Sequence, residues 1–466
     1  MPVSVARRIA FDVLLRVETQ GAFADELLFA RLAEPKLKRE DAALATELVM
    51  GVLRWQRLLD FLIGRQLESS RGKGRGGKPS AGKRHPAALD PEVRIALRLG
   101  LYQLRWLTRV PARAAVHEAV ELVKRARKSS AASLVNAVLR NAPQQPTEAL
   151  IPANLPPAER LAVLHAHPTW LVERWLRTLG ADQAGPLLEA NNAPPRVTCA
   201  VASGESVDAL ARELASEGVR TAPGRWLCGA IEVTGGAVSR TRAFREGRMR
   251  IQDEASQMIA LLLEVQSGMK VLDLCAAPGG KALLLAERAG SAGVIVASDL
   301  HAHRLRVMRE RMLSVVQRID FVVLDAEQTL PYRGAFDRIL VDVPCCGTGT
   351  LARNPEIRWR FRPADLLDLQ RKQRAILENA AAMLRPGGRL VYSTCSLEPE
   401  ENEQVVEAVL SQHPELSLVC GAAEVLAPHL RLGAEATDLF DAHGYFRTWP
   451  HRHGTDGFFA AVLQRA

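Results

Sequence analysis

The stretch "VLDLCAAPGGK", Val271 to Lys281, decides how the rest of the chain is read. A short apolar, β-favouring run stops at a glycine-rich turn, and "ALLLAERAG" follows with the spacing of a helix. Gly279 and Gly280 let the backbone approach a ligand closely, and the first turn of the helix offers N–H groups that have no partner within it. A glycine pair alone is a weak signal, and the spacing is not the G-x-G-x-x-G fingerprint of dinucleotide sites. The weight comes from the surrounding sequence.

Outward from this stretch, "GVIVASDL", "IDFVVLDA", "FDRILVDVP" and "GRLVYSTCS" repeat the apolar run. Helical stretches such as "ADLLDLQRKQRAILENAAAMLRPG" separate most of them. Such alternation predicts a parallel sheet covered on both faces, with ligands bound beyond the carboxyl ends of its strands. "DGFFAAVLQR" predicts a last, antiparallel strand near one edge. The second run ends in Asp299, where a carboxylate can hold ribose hydroxyls. The third ends in Asp325, which can accept from an adenine amino group. One aspartate at a strand end is most simply a turn residue, but recurrence at successive ends is not. Nucleoside recognition with no extended phosphate cradle points to S-adenosylmethionine rather than NAD or ATP.

The fourth and fifth runs end in thiols, in "VDVPCCGTGT" (341–350) and "YSTCS" (392–396). Carbon 5 of a pyrimidine is a poor nucleophile. A thiolate added at C6 makes C4–C5 an enamine, and C5 can then attack an electrophilic methyl group. That chemistry needs a cysteine and a group that stabilises charge at N3 and N4. Asp342, three residues before Cys345, is placed for the second role, and Lys281 is the nearest base to orient it or to lower a thiol pKa. Either Cys345 or Cys395 fits the nucleophile. A Pro-Cys dipeptide at the fourth strand is used by DNA cytosine-C5 methyltransferases and selects Cys345, whereas Cys395 follows the fifth. Cys199, Cys228, Cys420 and Cys346 read as small buried hydrophobes.

A chain of 466 residues predicts two or three domains, and 47% apolar with 24% charged residues describes a globular protein. Residues 1–145 carry helical spacing, as in Ile95, Leu99, Tyr102 and Trp106, with Asp90 expected as a helix cap and Pro91 at the first helical position. "NAPQQPTEALIPANLPP" predicts a linker, taken as 146–156. Residues 157–245 mix helical and strand-like pieces and predict a small α+β module that links or touches RNA; 246–466 form the domain described above. The net charge is +9, yet residues 1–150 hold 26 Lys/Arg against 15 Asp/Glu, so the basic surplus belongs to the N-terminal third. Within it, residues 69–86 hold six Lys/Arg and no acid, and predict a flexible loop. Such a surplus favours a polyanionic partner, although a merely solvated surface would look alike.

Seven cysteines without a CxxC pair or a histidine cluster predict reduced thiols, no disulfide framework and no metal. No apolar run reaches the roughly 18 residues of a membrane span, and charge interrupts the N-terminal apolar residues. A cytoplasmic protein is expected.

"CAAPGGK", "DVPCCGTG" and "YSTCSLEPEENE" resemble the motifs of the Nol/Nop/Sun family of RNA cytosine-C5 methyltransferases. "RNPEIRWR" and "IQDEASQM" are similar to pieces of a bacterial branch that acts on small-subunit ribosomal RNA. In that branch a helical domain like the antitermination factor NusB precedes the catalytic domain. The resemblance implies an all-α NusB-like N-terminal bundle, a small α+β module and a C-terminal α/β Rossmann-like class I methyltransferase domain. It implies Cys395 as the nucleophile at C6, Cys345 as the residue assisting release, and Asp342 against the cytosine and near the cofactor, beside Lys281. Cys275, Ala276, Ala277, Pro278, Gly279, Gly280 and Lys281, with Asp299, Asp325 and Asp342, would hold S-adenosylmethionine. The implied substrate is cytosine 967 of 16S ribosomal RNA, free or in an assembling small subunit, and the chain is expected to be a monomer. Two features depart from the family: Cys346 stands where serine is common, and 69–86 looks like an insertion. A non-catalytic NusB-like RNA-binding factor is the competing class, which the intact Cys345, Cys395, Asp342 and Lys281 oppose. Another rRNA or tRNA site is a further alternative. Amino-group methyltransferases place an aromatic after a Pro-Pro pair at the fourth strand, which "DVPCC" lacks.

Overall fold

The computed structural model of the chain describes residues 3–32, 37–69, 86–312, 319–332 and 334–466. Two compact units result, one of Met1–Ala193 with Leu351–Arg360, the other of Pro194–Thr350 with Phe361–Ala466. The described elements of the first unit are all helical. Val5–Gln20, Ala24–Leu32, Arg39–Arg54, Gln56–Ser69, Pro91–Trp106, Ala112–Arg125 and Ala132–Arg140 build the bundle that the apolar spacing predicts. Its central helix, Pro91–Trp106, buries Ile95, Leu99 and Tyr102, while Trp106 stacks on Tyr102 at 5.2 Å and on Trp55 at 5.3 Å. Gly100 admits the neighbouring helix, since a Cβ there would lie 2.4 Å from Leu139 Cδ1. Asp90 occupies the N-cap position without making the cap bond. Its carboxylate pairs with the Lys128 ammonium at 2.9 Å instead, a charge partner that outcompetes a backbone amide. Helices Pro157–Leu164, Thr169–Leu179 and Ala181–Ala190 also belong to this unit. Nearly all of the basic stretch expected as a loop at 69–86 lies outside the described residues; Ser69 ends a helix and Pro86 opens a short turn.

Leu351–Arg360 joins this unit through Arg358, which is fully buried. Its guanidinium donates to the carbonyls of Ala166 and Asn191 at 3.1 Å each and to Asn192 Oδ1 at 2.9 Å. It reaches the carbonyls of Leu351 and Arg54 at 3.3 and 3.4 Å. Burial lowers its pKa to about 9. A cavity of about 370 Å³ in the same unit has charged walls that pair with each other: Arg98 with Asp60 at 2.7 Å and with Glu18 at 2.6 Å.

The second unit holds two sheets. In the smaller, β1 (Val197–Val201), β2 (Arg220–Pro223), β3 (Ala230–Gly235) and β4 (Met249–Ile251) pair antiparallel in the order β2-β3-β1-β4. Leu210 and Leu214 of helix Val207–Ser216 cover it against Cys199, Ile231 and Met249. In the larger are β5 (Lys270–Asp273), β6 (Val294–Asp299), β7 (Ile319–Val323), β8 (Phe336–Asp342), β9 (Leu384–Thr394), β10 (Leu416–Leu418), β11 (Phe446–Thr448) and β12 (Phe458–Arg465). The order is β10-β12-β9-β8-β5-β6-β7, with β11 also on β12. β5 to β9 pair parallel, and β12 runs antiparallel beside β9 as its sequence predicts. Successive residues serve opposite faces. Val271, Ile295, Leu340 and Val391 enter one core, and Leu272, Val296, Ile339 and Tyr392 the other. Parallel strands end on one side, so their terminal residues share one rim.

Candidate active site

At that rim, register sets Asp342 of β8 beside Ser393 of β9, and Asp273 of β5 beside Ala297 of β6 and Leu340 of β8. Lys281, in the first turn of helix Gly280–Ala289, donates to Asp342 Oδ2 at 2.6 Å, and the Ser393 hydroxyl donates to Oδ1 at 2.7 Å. Both carboxylate oxygens are thereby oriented. Burial works against the Lys281 ammonium, but the Asp342 charge and hydrogen bond outweigh it and leave the pKa above its ordinary value. The Phe458 ring lies 5.1 Å from Nζ. Of the two roles expected for Lys281, this geometry is that of orienting Asp342.

The turn after β8 and the turn after β9 bring Cys345 Sγ and Cys395 Sγ to 3.3 Å. The hydrogen bond to Cys395, then burial, pushes the Cys345 thiol well above its ordinary value. At that separation either thiol can donate to the other. Backbone bonds fix the turns: Gly349 N–H donates to the Cys395 carbonyl at 2.9 Å, and Gly457 N–H to the Gly349 carbonyl at 2.8 Å. A Cβ on Gly349 would lie 2.1 Å from the Gly457 oxygen, so only glycine permits this approach. Cys346 is buried, as expected, with Sγ 3.1 Å from Ser396 Oγ and 3.4 Å from Thr348 Oγ1. Cys199 is buried too. Cys228 and Cys420 are exposed, which corrects the expectation of buried hydrophobes; each lies in a segment outside a strand interior, where no core covers the thiol.

The segment Cys275–Lys281 crosses from β5 to its helix above β6. Ala276 N–H donates to the Ser298 carbonyl at 2.8 Å and Ala277 N–H to Asp299 Oδ2 at 3.3 Å. Asp299, nearly buried, also accepts from the His301 amide at 3.0 Å and from Arg304 at 3.3 Å. After Pro278, Gly279 has φ +107°, and a Cβ there would meet Met312 Cε at 2.3 Å and Met308 Cγ at 2.7 Å. Gly280 opens the helix. Burial, followed by the charges of Asp273, Asp342 and Asp299, raises the Cys275 thiol above its ordinary value. Asp325 is exposed beyond β7 and accepts from the Glu327 amide at 3.0 Å.

Three residues at the rim were not singled out from sequence: Asp273, Ser393 and Arg304. Asp273 is 1% exposed, and neither of its oxygens has a hydrogen-bond partner among the described residues. Burial, and then the Asp342 charge, pushes its carboxyl up to about 8. The strand-end rule that finds Asp299 and Asp342 applies to it equally. Among the described residues no group of His, Cys, Asp or Glu is arranged to hold a metal.

Three family models match the chain. Residues 260–464 match "16S rRNA methyltransferase RsmB/F", 4–75 and 79–144 the NusB family, and 167–238 the RsmF/B-like ferredoxin-like domain. A probable ribosomal RNA small subunit methyltransferase B of Bacillus subtilis is 33% identical, with all of both chains covered. The crystal structure of PH0851 superposes with a TM-score of 0.79 at 25% identity, again over all of both chains. A methyltransferase homologue from Pyrococcus horikoshii superposes with a TM-score of 0.54 at 28% identity, covering 67% of this chain and 100% of its own.

Proposed function

The chain belongs to the RsmB/F family of 16S rRNA methyltransferases, and on that footing we propose that it methylates C5 of cytosine 967 through a covalent bond between Cys395 and C6. It is an S-adenosylmethionine-dependent RNA cytosine-C5 methyltransferase with a NusB domain ahead of the catalytic one. The observation that carries the mechanism is the thiol pair at 3.3 Å, at the ends of adjacent strands, beside a carboxylate with both oxygens oriented.

Cys275 to Lys281, with Asp299, Asp325 and Asp342, would hold S-adenosylmethionine, which supplies an electrophilic methyl group when bound. Two features fit that group. Gly279 brings the backbone close to the start of a helix whose first N–H groups are free of helical partners. Asp273, buried and with no hydrogen-bond partner among the described residues, would have its charged form favoured by a cationic ligand nearby.

In the proposed chemistry Cys395 attacks C6 as the thiolate, and Cys345, with its sulfur 3.3 Å away, is left for the later elimination. A bond forms between sulfur and C6, and the C5–C6 electron pair moves toward N3 and N4. Asp342 accepts a hydrogen bond from the cytosine amino group and stabilises the enamine, with Lys281 and Ser393 keeping its oxygens aimed. C5 then gains the methyl group. Loss of the C5 proton, assisted by Cys345, returns an electron pair that breaks the sulfur–C6 bond, and the proton leaves to solvent. Bisulfite sequencing of 16S rRNA from a strain lacking the gene tests the target. Protection at cytosine 967 should vanish; unchanged protection there would exclude that position.

A further inference from the structure

Glu401 lies in the short turn Pro399–Glu401 and is fully buried. Its Oε1 accepts from the backbone N–H of Cys346 at 2.9 Å and from Gln373 Nε2 at 2.9 Å. The same Gln373 amide donates to the Pro344 carbonyl at 2.9 Å. Its Oε2 accepts from the Ser396 hydroxyl at 2.5 Å. Each link falls one residue from a thiol, because Pro344 and Cys346 flank Cys345 and Ser396 follows Cys395.

Three donors converge on this side chain, and only a group with two acceptor oxygens and no hydrogen satisfies them all. A buried carboxylate is costly to keep, and an apolar side chain of similar size would fill the space without that cost. What an apolar side chain cannot do is join the two turns. We propose that Glu401 is a positioning residue for methyl transfer: one carboxylate that holds the Cys345 and Cys395 turns together, so that both sulfurs face the same cytosine ring. The proposal rests on the reading in which both thiols serve one substrate base.

Glutamine is the informative replacement. Turned with its oxygen toward Cys346 and Gln373, it presents its amino group to Ser396, whose hydroxyl oxygen can accept. The clamp then survives with one link reversed, whereas alanine removes it.

The test uses the full-length enzyme and S-adenosylmethionine with two RNAs: an unmodified one for kcat and KM, and one carrying 5-fluorocytosine at the target, which cannot lose its C5 substituent and so traps the covalent adduct. In Glu401→Ala, calorimetric affinity for S-adenosylmethionine should be unchanged, while kcat and the rate of adduct formation fall together by on the order of 100-fold, the scale of misplaced reacting groups. KM for RNA should change little, and Glu401→Gln should recover most of the rate. A folded Glu401→Ala with wild-type kcat and adduct rate, whatever its melting temperature, would overturn the proposal. Should Glu401→Ala fail to fold, Gln373→Ala and Ser396→Ala each cut one arm: slower adduct formation with intact cofactor binding supports the clamp, and wild-type rates in both overturn it. Cys395→Ala, run alongside, separates the two levels. An adduct in that variant contradicts the underlying assignment of the nucleophile and not the clamp geometry.

Discussion

Asp273 shows how far a single residue at the rim can depart from its behaviour in water. Burial, and then the Asp342 charge, pushes its carboxyl up to about 8, against 3.8 as its ordinary value, and neither oxygen has a partner among the described residues. Between those two values the folded chain retains a proton that the unfolded chain has released, so stability falls as pH rises through that window. Asp273→Asn removes the titration. Urea denaturation without cofactor should show a flatter dependence on pH and a more stable variant at the alkaline end; an unchanged slope would contradict the assignment. From sequence, Asp273 sits inside the stretch that fixes the fold and yet reads as one polar break in an apolar strand. Its isolation depends on which side chains fail to reach it, which is a tertiary property. The thiols divide in the same way. That Cys345 and Cys395 share a rim was legible from strand order, but the exposure of Cys228 and Cys420 was not, because covering a thiol depends on distant packing.

Among the elements, the turn from β5 into helix Gly280–Ala289 was the most legible, since its glycines are required by geometry that any sequence must meet. Gly279→Ala places a Cβ at φ +107° and against Met308 and Met312. The strain should cost about 1–3 kcal/mol of stability in chemical denaturation and weaken S-adenosylmethionine binding. A variant unchanged in both would remove the turn from the cofactor site. Less legible were β10 and β11, because three-residue strands are too short to show a period and exist only as partners of β12. The grouping of Leu351–Arg360 with helices far away in sequence was hidden as well. It depends on one buried guanidinium finding carbonyls of Ala166 and Asn191.

At the scale of the whole molecule, charge separates the N-terminal third from the rest, and the NusB family match falls on that third. If the basic stretch within it meets phosphates, deleting residues 70–85 should weaken RNA binding and lower the slope of log affinity against log salt by roughly 0.7–0.9 for each phosphate no longer neutralised. Turnover on a short, saturating RNA should persist. An identical slope with and without the stretch would make it a connector. Among the described residues no helix is long and apolar enough to cross a membrane. Composition and motif order made the sequence of helical, α+β and catalytic parts legible; how the chain distributes itself between two compact units was not, since that depends on non-local packing.

The division of labour between the two thiols is the central claim, and trapping the protein–RNA adduct tests it most directly. Wild type, Cys345→Ala and Cys395→Ala are each mixed with labelled RNA and S-adenosylmethionine and resolved on a denaturing gel. If Cys395 attacks C6 and Cys345 serves the later elimination, an adduct accumulates in Cys345→Ala and none forms in Cys395→Ala. An adduct in Cys395→Ala and none in Cys345→Ala would reverse the roles and make Cys345 the nucleophile.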